Sequence, residues 1–257
     1  MWISSIIKSM AKRLIIANWK MNPATLKEAR ALFQTTKKKA SAVTRALVVI
    51  APPSVYLSFC KPSKKVLLGA QNVAWADKGA FTGEISAVQL KNLKVSYVIV
   101  GHSERRFLGE TDEMISKKIK SVLKQSLTPV LCIGELERDN HGAYLRIVED
   151  QIRKSLAGVG RESLARVIIA YEPVWAIGKS AEDAMNSHKL HEMTIFIRKI
   201  LSTICGREIA HKLRIIYGGS VEVGNAQELI KNGNVSGFLV GHASLDAKGF
   251  GAIIKAV

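Results

Sequence analysis

The chain alternates between short apolar runs and longer stretches in which apolar residues recur at helical spacing. Few polar residues interrupt the apolar runs, which is typical of parallel strands buried on both faces. We predict eight such strands, at 14–17, 46–51, 66–69, 97–100, 129–133, 167–171, 214–217 and 237–240. Helices are predicted between them, for example at 23–39, 112–125, 144–156, 182–204 and 223–231. The first helix should begin after Asn22, a good capping residue, because Pro23 is tolerated in a first helical turn.

Eight strand–helix units can form either an open doubly wound sheet or a closed barrel. The glycine fingerprint of a dinucleotide-binding sheet is missing after the first strand, where Asn18-Trp19-Lys20 stands instead. Glycine-rich turns follow the seventh and eighth strands, which is where barrels place a phosphate site. We therefore predict an α/β protein with a closed (β/α)8 barrel as its single, catalytic domain over 13–257, preceded by an N-terminal extension at 1–12.

The charge of the chain leaves several kinds of partner open. It carries 38 basic and 21 acidic side chains, a formal charge of +17. Such an excess can indicate nucleic acid, an anionic membrane, or an anionic substrate together with a basic solvated surface. The basic clusters fall on predicted helices without interleaved aromatic residues, so we favour solvated helix faces and expect no nucleic-acid partner. No apolar run approaches the roughly 20 residues that span a bilayer, and we expect no membrane association.

The cysteine content indicates the compartment. Cys60, Cys132 and Cys205 are far apart and show no metal-ligand spacing. An odd and sparse set of this kind is typical of a reducing compartment, so we expect a cytoplasmic protein without a metal site.

Residues able to do chemistry follow several of the predicted strands, at the ends where barrel active sites are built. Lys20 follows the first strand and can offer a cation to a phosphate or to a developing enolate oxygen. A surface lysine is the favoured interpretation of this residue taken alone. His102 follows the fourth strand and can serve as acid, base, electrophile or metal ligand, but an isolated histidine is by default a buried, hydrogen-bonded one.

Glu172 follows the sixth strand and opens a segment of unusual composition. A carboxylate set against apolar residues becomes a stronger base. The segment continues from rigid Pro173-Val174-Trp175 to a small Ala176-Ile177-Gly178 tip and then to Lys179-Ser180-Ala181. This composition suits a lid that moves as a body between two hinges. An ordinary surface loop is the alternative, although exposed tryptophan and isoleucine side chains usually have a partner.

Glycines follow the last two strands, in Gly218-Gly219-Ser220 and in Gly241-His242-Ala243-Ser244. Backbone N–H groups at such turns can converge on an anion. Each turn alone is common in proteins. Both turns occur together with Lys20, His102 and Glu172, in order and at strand ends. This joint occurrence predicts an active site with a phosphate-binding site.

Taken together, these segments resemble the triosephosphate isomerase family, and the resemblance runs from Arg13 to Lys255. It also includes a loop that resembles the interdigitating third loop of that family, Gly79-Ala80-Phe81-Thr82-Gly83-Glu84-Ile85-Ser86. The likeness of this loop, in which Thr82 lies, implies a homodimer. The segments that resemble the family's four signatures are Asn18-Trp19-Lys20-Met21-Asn22, Gly101-His102-Ser103-Glu104-Arg105-Arg106, Tyr171-Glu172-Pro173-Val174-Trp175-Ala176-Ile177-Gly178 and Tyr217-Gly218-Gly219-Ser220-Val221.

The resemblance implies a reaction and a set of roles. The enzyme would interconvert dihydroxyacetone phosphate and D-glyceraldehyde 3-phosphate through an enediolate, in glycolysis and gluconeogenesis, without a cofactor. Glu172 would transfer the proton and neutral His102 would hydrogen-bond the enediolate oxygens. Lys20 would stabilise negative charge, Asn18 would position the substrate, and Glu104 would lie behind Lys20 and His102. The remaining roles implied are a lid at 173–181 and a phosphate site formed by backbone N–H groups of Gly178, Ser220, Gly241 and His242.

One position departs from the family pattern, because His242 stands where the family usually has a second glycine. A side chain there can crowd the phosphate, especially if the position requires a positive φ, or it can turn outward or add a hydrogen bond. We expect weaker phosphate binding than a glycine would give.

Two other classes of protein remain as alternatives. One is a different phosphate-binding barrel, such as a sugar-phosphate epimerase or an indole-pathway isomerase, which would need acid–base residues other than the Glu172 segment. The other is a barrel that has become a binding protein for an anionic polymer, which would show salt-dependent affinity without turnover.

Overall fold

The computed structural model describes residues 12–178 and 185–257, and these form a closed barrel of eight parallel strands in sequence order. The first strand pairs with both the second and the eighth, so that Leu14 lies beside Leu47 on one side and beside Gly237 on the other. The prediction of a closed barrel is therefore confirmed. The strands are β1 (Arg13–Asn18), β2 (Ala46–Ala51), β3 (Val66–Ala70), β4 (Val95–Val100), β5 (Thr128–Ile133), β6 (Ile168–Tyr171), β7 (Ile215–Tyr217) and β8 (Gly237–Val240).

The two faces of the barrel wall bury different sets of apolar side chains. Alternate residues of β1, such as Leu14 and Ile16, belong to a cluster inside the barrel. Their neighbours Ile15 and Ala17 belong to a larger cluster between the strands and the surrounding helices. Burial on both faces is the physical reason that the strands appear in the sequence as nearly unbroken apolar runs.

The closing contact of the barrel depends on a glycine. A Cβ atom at Gly237 would collide with the backbone of Leu14 on the neighbouring strand. Because β1 and β8 must approach here to complete the ring of hydrogen bonds, only a residue without a side chain fits.

Helices cover the outside of the barrel. Short 3-10 helices span Ser54–Phe59, Val174–Ala176 and His242–Ser244. The α-helices within the described residues are α1 (Leu26–Ser41), α2 (Ala87–Asn92), α3 (Ser103–Phe107), α4 (Asp112–Lys124), α5 (Ala143–Ser155), α6 (Arg161–Leu164), α7 (Ser187–Cys205), α8 (Arg207–Lys212), α9 (Ala226–Asn232) and α10 (Ala247–Ala256).

The prediction for the start of the first helix was wrong. Helix α1 begins at Leu26, and its N-cap is Thr25 instead of Asn22. The Thr25 hydroxyl accepts a hydrogen bond from the Glu28 N–H at 3.3 Å, and the Glu28 carboxylate accepts one from the Thr25 N–H at 3.1 Å. This reciprocal pair satisfies two backbone donors at once, which a single capping side chain cannot do.

Two consequences of the topology matter for function. All eight strands run in the same direction, so the residues after them meet at one rim of the barrel. The residues before the strands meet at the opposite rim. No helix among the described residues is long and apolar enough to cross a membrane.

Candidate active site

The segment after β1 is held in a folded-back conformation that directs Lys20 across the rim. The Asn18 side chain accepts a hydrogen bond from the Lys20 N–H at 3.1 Å, and the Lys20 carbonyl accepts one from the Gln71 amide at 2.8 Å. Lys20 has a left-handed backbone with φ of 51°, which is uncommon for a residue with a side chain. Its Nζ lies 2.7 Å from Oε1 of Glu104, so these contacts hold the ammonium group in place.

His102 follows β4 and caps the short helix α3 with its own ring. Its Nδ1 accepts a hydrogen bond from the Glu104 N–H at 3.2 Å. An imidazole nitrogen that accepts carries no proton, so the neutral ring carries its proton on Nε2. Nε2 lies 3.4 Å from Oε1 of Glu172, and both side chains are buried. The helix cap thus fixes which nitrogen can donate at the rim.

Glu172 follows β6, and the backbone confines it from several sides. Its N–H donates to the Ile133 carbonyl at 2.7 Å, and the Ser103 N–H donates to its Oε2 at 3.4 Å. A Cβ atom at Gly218 would lie 2.6 Å from Cγ of Glu172, so the side chain packs against bare backbone there. Glu172 itself is only 2% exposed, which leaves its carboxylate little freedom to move.

Cys132 lies behind this carboxylate. Burial raises the pKa of the Cys132 thiol well above its usual range, and the nearby Glu172 charge raises it further. The thiol therefore stays neutral, and a neutral neighbour does not repel the Glu172 carboxylate.

The segment after Glu172 is anchored at a buried carboxylate on the neighbouring strand end. Glu135, fully buried after β5, accepts hydrogen bonds from the Trp175 indole at 2.9 Å and from the Tyr171 hydroxyl at 2.9 Å and 3.0 Å. Arg138 completes the cluster, with its Nε 3.3 Å from Oε1 of Glu135. Burial, together with the Glu135 charge, raises the pKa of Tyr171, so its hydroxyl remains a donor.

These contacts hold the first residues of the predicted lid in place. Pro173 and Ala176 are buried, and Val174 donates its N–H to the Glu135 carbonyl at 2.9 Å. Exposure increases toward the tip at Gly178, whose φ is 71°. The lid residues Lys179, Ser180 and Ala181 lie outside the described residues.

The glycine turns lie beside the same rim. A Cβ atom at Gly241 would lie 3.3 Å from Cε of Lys20, which places the turn after β8 next to the cation of the site. Gly218 borders Glu172, as described above. Gly178 and Ser220 make no hydrogen bond to Lys20, His102 or Glu172 among the contacts of residues 12–178 and 185–257.

His242 is accommodated without backbone strain. It starts a 3-10 helix, and it is absent from the residues with positive φ among the described part of the chain. The possibility that this position requires a positive φ is therefore wrong. The imidazole is exposed.

Two cavities open at the rim and have Glu104 in common. One, of about 330 Å³, is lined by Asn18, Lys20, His102 and Glu104. The other, of about 770 Å³, is lined by Glu172, Ser103 and apolar residues that include Val174 and Ile177 of the predicted lid. The rim thus offers a buried carboxylate beside the larger cavity, and a neutral N–H donor and an ammonium group beside the smaller one. Within the described chain no three His, Cys, Asp or Glu side chains converge as metal ligands do.

Sequence reasoning missed three contributors to this site, namely the Ser103 N–H, Cys132 and the Glu135 cluster. A signal existed for Glu135, because it follows a strand just as Lys20, His102 and Glu172 do. Its partners Tyr171 and Trp175 lie 36 and 40 residues further along the chain, so the cluster itself is visible only in three dimensions.

A closed parallel barrel with acid–base side chains at the carboxyl ends of its strands belongs to the class of α/β-barrel enzymes. The family model described as triosephosphate isomerase matches residues 13–257. Curated triosephosphate isomerases include that of Carboxydothermus hydrogenoformans, 43% identical over 96% of this chain and 99% of the relative. That of Rhodopirellula baltica is 42% identical over 96% and 98%, and that of Dictyoglomus turgidum is 39% identical over 96% and 100%. The chain belongs to the triosephosphate isomerase family and is an isomerase.

Proposed function

We propose that Glu172 is the base that moves the proton when this enzyme interconverts dihydroxyacetone phosphate and D-glyceraldehyde 3-phosphate. The contact that supports this role is the 3.4 Å approach of the buried Glu172 carboxylate to the Nε2 of His102. A substrate carbon placed beside Glu172 would have its adjacent carbonyl oxygen within reach of the Nε2 proton. Glu172 would take the proton from one carbon and return it to the next. The hydroxyl proton would pass from one oxygen to the other through the Nε2 of His102, so no group is consumed.

His102 and Lys20 are the groups suited to the negative charge that the reaction creates. Removal of a proton beside a carbonyl leaves an oxyanion, and donors fixed before the charge develops stabilise it most. His102 is fixed by its cap to α3, and Lys20 by Glu104 at 2.7 Å. Asn18 acts by positioning, because its side chain holds the Lys20 backbone at 3.1 Å.

The substrate phosphate would be bound by backbone N–H groups of Gly178, Ser220, Gly241 and His242, with Lys20 as the neighbouring cation. Support comes from the position of Gly241, where a Cβ atom would lie 3.3 Å from Cε of Lys20. Segment 173–181 would close over the bound phosphate as a lid, and exclusion of water would protect the enediolate from loss of phosphate.

The role of Glu172 is tested by the variant Glu172→Asp. Removing one methylene draws the carboxylate back by about 1.5 Å, and a misplacement of about 1 Å at a reacting group can cost roughly 100-fold in rate. We expect kcat for glyceraldehyde 3-phosphate to fall at least 100-fold with little change in KM, in an assay coupled to the reduction of dihydroxyacetone phosphate. The control is Glu162→Asp, which makes the same change at an exposed position.

Absence of turnover in the native enzyme would overturn the proposed reaction. Normal kcat in Glu172→Asp would show that the position of the carboxylate does not limit the reaction. Normal kcat in Glu172→Gln, which has no base there, would remove Glu172 from the reaction. Salt-dependent binding of an anionic polymer with no turnover would favour the alternative of a binding protein.

We also propose that the enzyme is a homodimer joined through the loop at 79–86. In this loop Phe81 is 40% exposed and stacks edge to face on Trp75, with ring centres 6.0 Å apart. The smaller rim cavity is bordered by Met21 and Leu108, which are 93% and 75% exposed. Exposed apolar side chains around a cavity suit the docking of a loop from a second copy.

The dimer is tested by sedimentation velocity. We expect the native enzyme to sediment as a dimer at micromolar concentration and Thr82→Arg as a monomer, because Thr82 lies at the exposed tip of the loop. The matched control, Thr35→Arg on the exposed face of α1, should remain dimeric. A native monomer, or a dimer that survives Thr82→Arg, would contradict this arrangement.

Residues 1–12 are proposed as an extension before the catalytic barrel, supported by a family match that begins at residue 13. The cytoplasm is the proposed location. All three cysteines are free and buried, which agrees with a reducing compartment.

A further inference from the structure

A basic cavity lies at the rim opposite the active site, where three neighbouring strands begin. Strands β7, β8 and β1 are consecutive in the closed barrel, so their first residues meet there. The cavity has a volume of about 280 Å³. Among the described residues that line it, none carries a carboxylate. The lining consists of Lys12, Arg13, Arg198, His211, Lys212, Leu213, Arg214 and Ser236.

Hydrogen bonds satisfy some of these donors without cancelling their charge. Arg13 donates to the Val235 carbonyl at 3.0 Å, and Arg198 donates to the Ala210 carbonyl at 2.5 Å. Burial lowers the pKa of Arg198, as expected for a guanidinium group that lacks a carboxylate partner.

The groups that could neutralise the cavity are too weak to do so. Lys212 is paired with Glu208 at 2.6 Å, but both side chains are mostly exposed, so water screens that pair. Helix α8 ends at Lys212 and presents about half a negative elementary charge. The cavity is lined by the full charges of five lysine and arginine side chains, so it remains positive.

The surroundings add to this positive potential. Basic residues also precede four other strands on the same rim, namely Arg45, Lys65, Lys94 and Arg166. None of them forms an ion pair within residues 12–178 and 185–257. The eleven residues before Lys12 contain no aspartate or glutamate that could supply a partner. A concave surface with one sign of charge concentrates ions of the opposite sign.

We propose that this cavity is a second anion site, distinct from the catalytic rim, that binds a compact oligophosphate such as pyrophosphate, tripolyphosphate or the phosphate chain of a nucleotide. Guanidinium and ammonium groups spread around the cavity suit several linked phosphates better than one. The described residues of the lining include no phenylalanine, tyrosine or tryptophan, so the phosphate chain is the part of a nucleotide that this charged cavity suits best.

Binding is tested by isothermal titration calorimetry of the full-length enzyme with sodium tripolyphosphate at 0.05 M salt. We expect one site per chain and a Kd that rises about tenfold or more in the double variant Lys212→Gln, Arg214→Gln, since both lost side chains would donate charge-assisted hydrogen bonds to phosphate. The control Lys27→Gln, Lys117→Gln removes the same charge from exposed positions outside the cavity and should change Kd less than twofold. Both double variants should keep the native kcat and melting temperature, which separates this site from the catalytic one.

Further measurements identify the ligand and the location of the site. A Kd for ATP close to that for tripolyphosphate would support recognition of the phosphate chain alone. Retained binding in Lys20→Gln, together with a KM for glyceraldehyde 3-phosphate that tripolyphosphate does not raise in the native enzyme, would show that the catalytic rim is not the site. No binding, loss of binding in Lys20→Gln, or equal weakening in the two double variants would overturn the proposal. Much tighter binding of single-stranded RNA than of tripolyphosphate would overturn it in favour of a nucleic-acid surface.

Discussion

Replacement of Gly218 by alanine tests how tightly the catalytic carboxylate is confined. The backbone of Gly218 lies outside the left-handed region, so alanine adds a contact without conformational strain. The new Cβ would lie 2.6 Å from Cγ and 3.2 Å from Oε1 of Glu172. The Glu172 backbone is fixed by its hydrogen bond to Ile133, so the side chain is the part that must move.

The size of the effect follows from these distances. Carbon atoms in good contact lie about 3.5–4.0 Å apart, so Cγ must retreat by about 1 Å. The carboxylate is then misplaced relative to the Nε2 of His102, now 3.4 Å from Oε1. A displacement of that size at a reacting group can lower kcat roughly 100-fold. Overpacking should also reduce the free energy of unfolding by about 1–3 kcal/mol.

The assay measures kcat and KM for both triose phosphates, with folding checked by circular dichroism and urea denaturation. We expect a reduced kcat and a nearly unchanged KM in a folded protein, because the phosphate would be held elsewhere. Gly160→Ala is the control, since a Cβ there meets no atom within 4 Å. A Gly218→Ala enzyme with native kcat would refute the conclusion that confinement of Glu172 limits the reaction.

Two further predictions address the contact of Tyr171 with Glu135 and the phosphate site. Tyr171→Phe removes the donor that contacts both oxygens of Glu135 and should lower the free energy of unfolding by about 1.5–3 kcal/mol. The control is Tyr56→Phe, because the Tyr56 hydroxyl donates to a neutral carbonyl at 3.0 Å. This change should lower the free energy of unfolding by about 0.5–1.5 kcal/mol. Equal losses of unfolding free energy for the two variants in urea denaturation would contradict the importance of the charged acceptor. His242→Gly should lower KM by about two- to fivefold, a gain of up to about 1 kcal/mol in phosphate binding. A KM that is unchanged or raised would show that His242 does not weaken the phosphate grip.

The sequence predicts the boundary of a strand or helix best where that boundary depends on neighbouring residues alone. Strands β2 and β8 begin and end where their apolar runs do, because burial on both faces excludes polar residues. Strand β4 begins two residues before its predicted start, since Val95 pairs with Leu68 although polar Ser96 interrupts the run. The start of α1 could have been predicted from sequence, because Thr25 and Glu28 have the spacing of a capping box and Asn22 has no glutamate or glutamine three residues after it.

The sequence by itself determined the alternation of strands and helices and the positions of Lys20, His102 and Glu172 at strand ends, because these features depend on neighbouring residues. Only the tertiary structure brought the Nε2 of His102 to the Glu172 carboxylate and Trp175 to Glu135, and only it joined the starts of β7, β8 and β1 into a basic cavity. Arg198 and Lys12 stand far apart along the chain, yet they line the same space. Closure of the barrel sets these distances, and closure depends on contacts between residues at opposite ends of the sequence, such as Leu14 with Gly237.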